Sequence, residues 1–486
     1  MPAHPLTDAD KNGDGRISLD ELIAATPPTQ PESSNDIVHP HDGLARSGRL
    51  CGGIVADVRR RFNPKVYASD WWDGLNLKSL AAGLYMFFGC LAPGIAFGAT
   101  VATETGGRMG VVEYLISQSV TGIIFALVSG QPLIILRPTG PITVFTISLY
   151  TMSTHLGVDF LQLYAWVGIW VGVIMLIVAV TDSCALVRLC GIFTGDIFGF
   201  FVSVIFISIA IENIATNFSE VGMWGYDSCF LMLIIAVLTL VISLQLSGMK
   251  TSAFLTTTLR ERLAEFAVPI AILLLALARK LFPTVNADML SLPATIQLTR
   301  GMNTSLLVPL MGASDATGGS TEQAPAWLPF VGLGFGAFLS LLFFVDHNVT
   351  SLLTQSSEHR LKKGNAYHYN FVLVALFNIV MPLFGCPYVT GSLPHSPQFA
   401  QALADKEVVV EGGERRQRIR FVYENRVAPL LSNVLVLAAV LFFTSALGHI
   451  PLATLDGLFL FMGLSGLPGN NVCQRAKVWR PQPATL

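Results

Sequence analysis

Residues Pro382 to Leu403 read PLFGCPYVTGSLPHSPQFAQAL, and this stretch decides how the whole chain is interpreted. Residues 370–381, just before it, are apolar enough to lie within a membrane. Glycine and proline then recur densely, at Gly385, Pro387, Gly391, Pro394 and Pro397. No continuous helix is expected through that density of glycine and proline. We expect an extended segment and then a short helix from Gln398 to Leu403, with Ser396 as N-cap and Pro397 in its first position.

The first half of the chain holds a counterpart. Residues Gln131 to Phe145 read QPLIILRPTGPITVF, an apolar run interrupted by proline and glycine before a helix that is expected to reach about Ser153. Extended backbone at membrane depth is tolerated only inside protein or beside a watery cavity, and the start of a half-helix suits a bound anion. A re-entrant structural kink is the alternative for either stretch alone. Two such spans, one per half, predict a transport site between inverted repeats.

The composition excludes several protein classes. Of the 486 residues, 52% are hydrophobic and only 13% are charged, which is typical of a membrane protein. The net charge of −2 gives no indication of nucleic-acid binding. The seven cysteines are scattered, mostly in apolar runs, so buried thiols are expected rather than a disulfide framework or a metal site. The polar first seventy residues or so predict no cleavable signal peptide.

Hydropathy predicts twelve spans, of which the third and the tenth are the interrupted ones. They lie at residues 80–101, 111–129, 132–153, 161–180, 193–214, 228–247, 264–283, 327–345, 370–386, 388–403, 428–448 and 452–466. Arg59, Arg60, Arg61 and Lys65 precede the first span and predict a cytoplasmic N-terminus. The loops then placed inside carry clusters of Lys and Arg, whereas those placed outside carry only isolated basic residues. We therefore predict an integral membrane protein, with the plasma membrane as its location.

The N-terminal segment contains a calcium-binding pattern. Residues 10–21 read DKNGDGRISLDE and fit the loop of an EF-hand. The predicted ligands are Asp10, Asn12, Asp14, the carbonyl of Arg16, and Glu21 as the bidentate ligand. Few residues precede the loop, no second loop pairs with it, and Pro27 and Pro28 cut short the helix that would follow. Ca²⁺ binding is the prediction, and a non-binding loop is the alternative.

Three ionisable residues are placed at membrane depth, where each costs about 3 kcal/mol on insertion scales and is a functional candidate. Arg137 precedes the first half-helix, His395 precedes the second, and Asp346 ends the apolar run of residues 327–345. The structural alternatives are a snorkelling arginine, a turn histidine and a helix-end cap. Asp346 and Thr350 lie one turn apart on one helix face, so they are predicted to share a coupling cation, Na⁺ or otherwise H⁺.

Several long motifs carry a family resemblance. They are LAPGIAFG (91–98), SGQPLIIL (129–136) with TGPITVF (139–145), residues 179–207, residues 343–370, FGCPYVTGSLPHSP (384–397) and residues 450–467. Together these motifs resemble the bicarbonate-transporter (anion exchanger) family, solute carrier family four, which also includes the borate transporters. The resemblance covers residues 53–467. DHNV (346–349), YHYN (367–370) and PHSP (394–397) look closer to the borate branch, whereas TGP (139–141) looks like the sodium–bicarbonate members.

The resemblance implies a fold and a site. The fold is an all-α polytopic membrane protein, a dimer through its gate, with fourteen spans in two inverted repeats of seven that form a core and a gate. The anion site lies between half-helices 3 and 10, and the predicted substrate-binding residues are Arg137, Thr139, Gly140, Ser392, His395 and Ser396. His395 stands where exchangers carry an arginine, so Arg137 is predicted to supply that charge from the opposite half-helix. Asp346 matches the acid that is Asp in sodium-coupled members and Glu in exchangers.

The chain departs from the family pattern at both ends. The EF-hand-like segment 1–27 stands in place of a large cytoplasmic domain, and no apolar span follows Leu467. The predicted division is therefore 1–27, a cytoplasmic linker 28–70, a transmembrane transporter domain 71–467 that lacks the last two spans, and a cytoplasmic tail 468–486.

These features predict a secondary transporter and not an enzyme, since the chain shows no nucleophile–base pair and no phosphate-binding loop. The predicted substrate is bicarbonate, carried in exchange or with Na⁺ by an elevator-type movement and regulated by Ca²⁺. Borate efflux is the first alternative, and an H⁺ or OH⁻ conductance is the second. The predicted partners are a small inorganic anion, the lipid bilayer and a second copy of the chain.

Overall fold

The structure is a computed structural model that describes most of the chain. The described residues are 42–44, 48–189, 192–219, 225–249, 256, 259–260, 263–264, 266–280, 307–311, 324–393, 395–411, 414–442 and 450–467. The calcium-binding pattern at residues 10–21 and the predicted tail 468–486 both lie outside them.

Helices dominate the described part of the chain. In order, the helices are α1 (Gly52–Arg61), α2 (Pro64–Trp72), α3 (Leu77–Glu104), α4 (Val111–Val128), α5 (Gly140–Leu156), α6 (Phe160–Val180), α7 (Ile192–Ser219), α8 (Tyr226–Gly248), α9 (Ala267–Arg279), α10 (Leu328–Thr354), α11 (His368–Leu383), α12 (His395–Ala402), α13 (Val427–Phe442) and α14 (Leu452–Gly466). Six helices of the described residues are long and apolar enough to cross a membrane, and four shorter ones are also apolar. The predicted α-helical membrane architecture is confirmed at this level.

Four short strands complete the architecture. Strand β1 (Leu136–Arg137) pairs antiparallel with β2 (Thr390–Gly391), and β3 (Ala404–Glu411) pairs antiparallel with β4 (Glu414–Val422). The first pair joins the two interrupted spans at their extended segments. The second pair is a hairpin that occupies a loop predicted only as basic and cytoplasmic.

The helices pack as two groups. In the first group, α6 packs against α10 and α11, and α13 packs against α3 and α4. In the second group, α14 packs against α7 and α8, and α9 packs against α8. The two groups meet where α14 contacts α3 and α7 contacts α5. The rings of Phe97, Phe206 and Phe459, from α3, α7 and α14, stack around one another at this boundary, with centroids 5.3–6.1 Å apart.

Three boundaries differ from the sequence prediction. Helix α10 runs beyond the predicted span 327–345 to Thr354, because the polar residues of its last turns are buried inside the protein. Helix α12 begins at His395, so Ser396 and Pro397 lie within its first turn and Ser396 is not the N-cap. Residues 52–61 and 64–70, predicted as part of a linker, lie in helices α1 and α2.

A buried ion cluster explains why α1 and α2 are fixed to the membrane helices. Arg61 donates to Asp70 and Glu424 at 3.2 and 3.1 Å, and Arg426 pairs with the same Asp70 oxygen at 3.2 Å. Lys363 Nζ lies 3.0 Å from Asp70. Because each buried charge has an opposite partner, removing one would leave another uncompensated. The cluster ties α1 and α2 to the loop that precedes α13, and Arg61 also donates to the carbonyl of Gly130 in the loop that precedes β1.

Candidate functional site

The two interrupted spans meet at their extended segments. Leu136 pairs with Gly391, and Arg137 pairs with Thr390, which sets the start of α5 close to the start of α12. Ser392 N–H also donates to the carbonyl of Ile135 at 2.9 Å. The extended stretches predicted from glycine and proline are therefore present, and each supplies part of the other's backbone hydrogen bonding.

Side chains of α11 satisfy more of that backbone. Asn370 Oδ1 accepts from the N–H groups of Gly130 and Gln131 at 2.8 and 3.3 Å. Further along the same helix, Asn378 exchanges two hydrogen bonds with Val389, at 2.8 and 2.9 Å. Neither asparagine was predicted to have a role from the sequence. Asparagine inside an otherwise apolar span was the available signal, since such a residue needs partners at that depth.

The polar hydroxyl of Ser396 fills a structural role in the same place. Its Oγ accepts from Ile135 N–H at 3.0 Å and donates to the carbonyl of Ser392 at 3.0 Å. Ser396 was predicted to bind substrate, and the structure places it between the two interrupted spans, holding one to the other.

A small cavity lies between the two helix starts. It is narrow, with room for about one water molecule, and it is lined by Phe97, Arg137, Thr139, Gly140, Pro141, Phe206, Asp346, Ser392, Leu393, His395 and Met462. Five of the six predicted substrate-binding residues line it, and so does Asp346. Its apolar walls come from both helix groups, through Phe97 on one side and Phe206 and Met462 on the other. The space suits a small inorganic species rather than a large organic one.

Arg137 is the cationic side chain of this cavity. It is 1% exposed, and its guanidinium lies 5.7 Å from the centre of the Phe97 ring. Its Nη1 lies 3.3 Å from His395 Nε2, and the Cys90 thiol lies beside it. Among the described residues no carboxylate forms an ion pair with Arg137. A buried guanidinium without an ion-pair partner among these residues favours an anion from outside the protein.

The histidine and serine at the second helix start form a short hydrogen-bonded chain. A guanidinium can only donate, so His395 Nε2 accepts from Arg137, and its proton therefore resides on Nδ1. Nδ1 lies 3.1 Å from Ser392 Oγ and donates to it. The hydroxyl hydrogen of Ser392 is then available to a molecule in the cavity.

Asp346 faces the same cavity from α10. Its Oδ2 accepts from the hydroxyl of Thr139 at 3.3 Å, across the two halves of the chain. The next residue, His347, accepts from Gly391 N–H at 3.2 Å, and Thr350 donates to the Gly391 carbonyl at 3.1 Å. Thr350 is not among the residues that line the cavity. Asp346 thus lies at the site, while its two neighbours hold strand β2 against α10.

Within the part of the chain that the structure describes, no cluster of three or more His, Cys, Asp or Glu side chains could hold a metal ion. The predicted calcium ligands Asp10, Asn12, Asp14, Arg16 and Glu21 all precede the first described residue.

Comparison with known proteins gives consistent matches. The family model described as the HCO3⁻ transporter integral membrane domain matches residues 49–226 and 220–484. Band 3 anion transport protein from Gallus gallus is 30% identical over 465 residues, which is 92% of this chain and 49% of that protein. Anion exchange protein 3 from Danio rerio is 30% identical over 459 residues, covering 89% and 38%. The chain spans about half or less of the length of these curated relatives.

Solved structures share the fold at lower identity. The transmembrane domain of the cyanobacterium bicarbonate transporter BicA has a TM-score of 0.54 and 15% identity, covering 80% of this chain and 90% of that one. SLC26A9 has a TM-score of 0.58 and 13% identity, covering 88% and 63%. At these identities the likeness concerns the fold alone.

Proposed function

This chain belongs to the bicarbonate-transporter family of integral membrane proteins, and from that premise we propose that it is a secondary transporter of a small inorganic anion, with bicarbonate as the substrate. It belongs to a transporter family and is not an enzyme. The observation that carries the proposal is Arg137, a buried cation without a carboxylate partner among the described residues, located between two helix starts. Guanidinium and helix N-termini both favour an oxygen-rich anion.

The proposed movement is of elevator type, in which one group of helices carries the anion past the other. The cavity is lined from both helix groups, and aromatic rings close it at their boundary. Sliding of these faces would open the site to one side of the membrane and then to the other. We also propose a homodimer through the second helix group, a plasma-membrane location and a cytoplasmic N-terminus.

Asp346 is the proposed coupling group. Asp346 faces the anion cavity, so the charge of its carboxyl group interacts electrostatically with the charge of a bound anion. Sodium shared by Asp346 and Thr350 remains one proposal for coupling, and exchange of one anion for another is the alternative.

Borate is the second candidate substrate. The sequence features shared with the borate branch, including His395 in place of the exchangers' arginine, favour it. Both anions are small and rich in oxygen, so the helix starts and Arg137 suit either.

The test is uptake of labelled bicarbonate and of boron in a background that lacks both activities, with and without Na⁺. We expect uptake of bicarbonate that either depends on Na⁺ or proceeds by anion exchange. In Arg137→Gln, at equal surface abundance, the rate of bicarbonate uptake should fall at least about tenfold, because the buried cation is absent. Arg108→Gln is the matched control, since Arg108 pairs with Asp159 and does not line the cavity. Unchanged flux of both anions in Arg137→Gln would remove the basis of the proposal.

A further inference from the structure

Helices α1 and α2 bury their ionic side chains on the face that packs against the protein. Asp57 and Asp70 are both fully buried, and both pair with arginines of α1. Arg61, one turn beyond Asp57 on the same face of α1, is buried as well. A helix that lies against water usually shows the opposite pattern, with apolar residues inside and charged residues outside.

The outer face of the two helices carries apolar and basic residues instead. On α1, Val55 is exposed, and so is Arg59 one turn later. On α2, Lys65 and Trp72 are exposed, two turns apart on one face. Trp72 is 74% exposed, although tryptophan side chains are mostly buried in folded proteins. This outer face, formed by Val55, Arg59, Lys65 and Trp72, is therefore apolar and positively charged.

The two cations of the outer face have no acidic partner in the described part of the chain. Residues 52–76 contain three acids, and two of them are the buried Asp57 and Asp70. The third, Asp73, pairs with Lys363 at 2.7 Å. Arg59 and Lys65 can therefore bind a negatively charged group from outside the protein.

The outer face continues into the first membrane span. Helix α3 is long and apolar enough to cross a membrane, and it begins at Leu77, five residues after Trp72. Leu77, Leu80 and Leu84 lie on one face of α3 and are all exposed, as expected of a surface that faces lipid. Leu75, which lies between Trp72 and this face in sequence, is 69% exposed. Trp72 thus lies where the chain enters the bilayer, a depth at which tryptophan is enriched.

We infer that the outer face of α1 and α2 lies on the membrane surface and binds anionic phospholipids, with Arg59 and Lys65 as the headgroup contacts and Trp72 as the interfacial anchor. An apolar face that also carries basic residues is typical of helices that lie in the membrane interface. The proposed cytoplasmic N-terminus places this face at the leaflet that carries the anionic lipids. An acidic protein segment would match the two cations but would leave the apolar surface of Trp72 and Leu75 uncovered.

The experiment is quenching of Trp72 fluorescence by brominated lipids in proteoliposomes that contain the full chain. The Trp72 signal is the difference between the unsubstituted protein and Trp72→Phe, which keeps an aromatic side chain at that position. Brominated phosphatidylserine and brominated phosphatidylcholine are compared at equal amounts in unlabelled phosphatidylcholine. We expect phosphatidylserine to bind at Trp72 at least about tenfold more tightly, since each basic residue near the surface contributes about fivefold.

Arg59→Gln combined with Lys65→Gln tests the headgroup contacts directly. Both side chains are exposed, so the double variant should fold. Its preference for phosphatidylserine should be lost, whereas quenching by phosphatidylcholine should remain. Arg108→Gln is the matched control, because Arg108 pairs with Asp159 at 3.6 Å and lies outside α1 and α2, so its preference should stay unchanged. In the unsubstituted protein, salt at about 1 M should weaken the preference by screening.

Each outcome bears on the inference without a measurement of transport. If both lipids quench Trp72 of the unsubstituted protein equally, the anionic preference is wrong. If neither lipid quenches it, the outer face does not contact the bilayer. If the double variant keeps the preference, Arg59 and Lys65 are not the headgroup contacts. If the double variant does not fold, a preference that is unchanged at about 1 M salt overturns the inference.

Discussion

Single residues at the two helix starts set what the cavity presents to an anion. Arg137 brings the charge from the first interrupted span, and Ser392 and His395 from the second orient one proton toward the cavity. Gly140 has a steric role at the same place, because a Cβ there would lie 2.7 Å from the Phe206 ring. At residue scale the site therefore combines the positive charge of Arg137, the hydroxyl hydrogen of Ser392 and the absence of a side chain at Gly140.

Gly140→Val should block transport. The added side chain would push against Phe206 at the boundary between the two helix groups, and a displacement of about 1 Å in a positioned site costs at least about tenfold in rate. Gly334→Val is the control, since a Cβ at Gly334 meets nothing within 4 Å. Bicarbonate flux per molecule at the cell surface is the measurement, and equal flux in both variants would contradict the steric role.

At the scale of elements, helix α1 is held to α11 by Asp57. Its Oδ2 accepts from the N–H groups of Tyr367 and Tyr369 at 3.0 and 3.1 Å, and Oδ1 accepts from Arg60 at 2.6 Å. The carboxylate thereby satisfies backbone donors at the start of α11. This contact and the Arg61 cluster explain why residues 52–70 belong to the folded transporter rather than to a linker.

The Asp57 contact should depend on pH. Burial raises the pKa of Asp57 from 3.8 to about 6. Between these values the folded chain binds more protons than the unfolded chain, so the free energy of unfolding falls as pH rises from about 4 to about 6, by about 3 kcal/mol from this group. An asparagine side chain would keep an acceptor without a charge, so Asp57→Asn should lack this dependence.

Thermal unfolding of the purified protein in detergent from pH 4 to pH 7 measures the effect. As the pH increases, the Tm of the unsubstituted protein should fall relative to the Tm of Asp57→Asn. Asp405→Asn serves as the control, because the Asp405 side chain is 39% exposed. Parallel Tm profiles for Asp57→Asn and the unsubstituted protein would show that Asp57 does not carry the dependence.

At the scale of the whole molecule, the N-terminal pattern at residues 10–21 precedes, along the chain, the helix α1 that is fixed to the transporter. Residues 10–21 precede α1, and α1 is fixed to α11 through Asp57 and to the start of the first interrupted span through Arg61, which donates to the Gly130 carbonyl at 2.5 Å. We propose that Ca²⁺ bound by residues 10–21 alters transport through this connection.

Transport should therefore change when cytosolic Ca²⁺ is removed by a chelator. Glu21→Gln removes the charge of the bidentate ligand and should lower Ca²⁺ affinity by at least about tenfold. Lys11→Gln alters a residue of the same loop that is not a predicted ligand, and it should leave the response intact. If the flux through the full chain is the same with and without Ca²⁺, the proposed regulatory role is wrong.

The sequence by itself determined the membrane class, the order of the spans and the two interruptions. Hydropathy and the restricted backbone of proline are local properties. The interruptions of the helix within residues 129–145 and 382–403 can therefore be predicted without knowledge of the rest of the chain. Arg137, Asp346 and His395 were identified for a similar reason, since an ionisable group in an apolar run is visible in the sequence alone.

Only the tertiary structure decided which of these residues meet. Thr139 contacts Asp346 across 207 positions, and Arg137 contacts His395 across 258, distances at which no periodicity operates. For the same reason the roles of Asn370 and Asn378 could not be predicted, because their hydrogen-bond partners lie on distant extended segments. The burial of the polar last turns of α10, up to Thr354, was not predictable for the same reason, because it depends on partners from other segments. Local patterns report what each segment forms, whereas contacts between segments depend on packing of the whole chain.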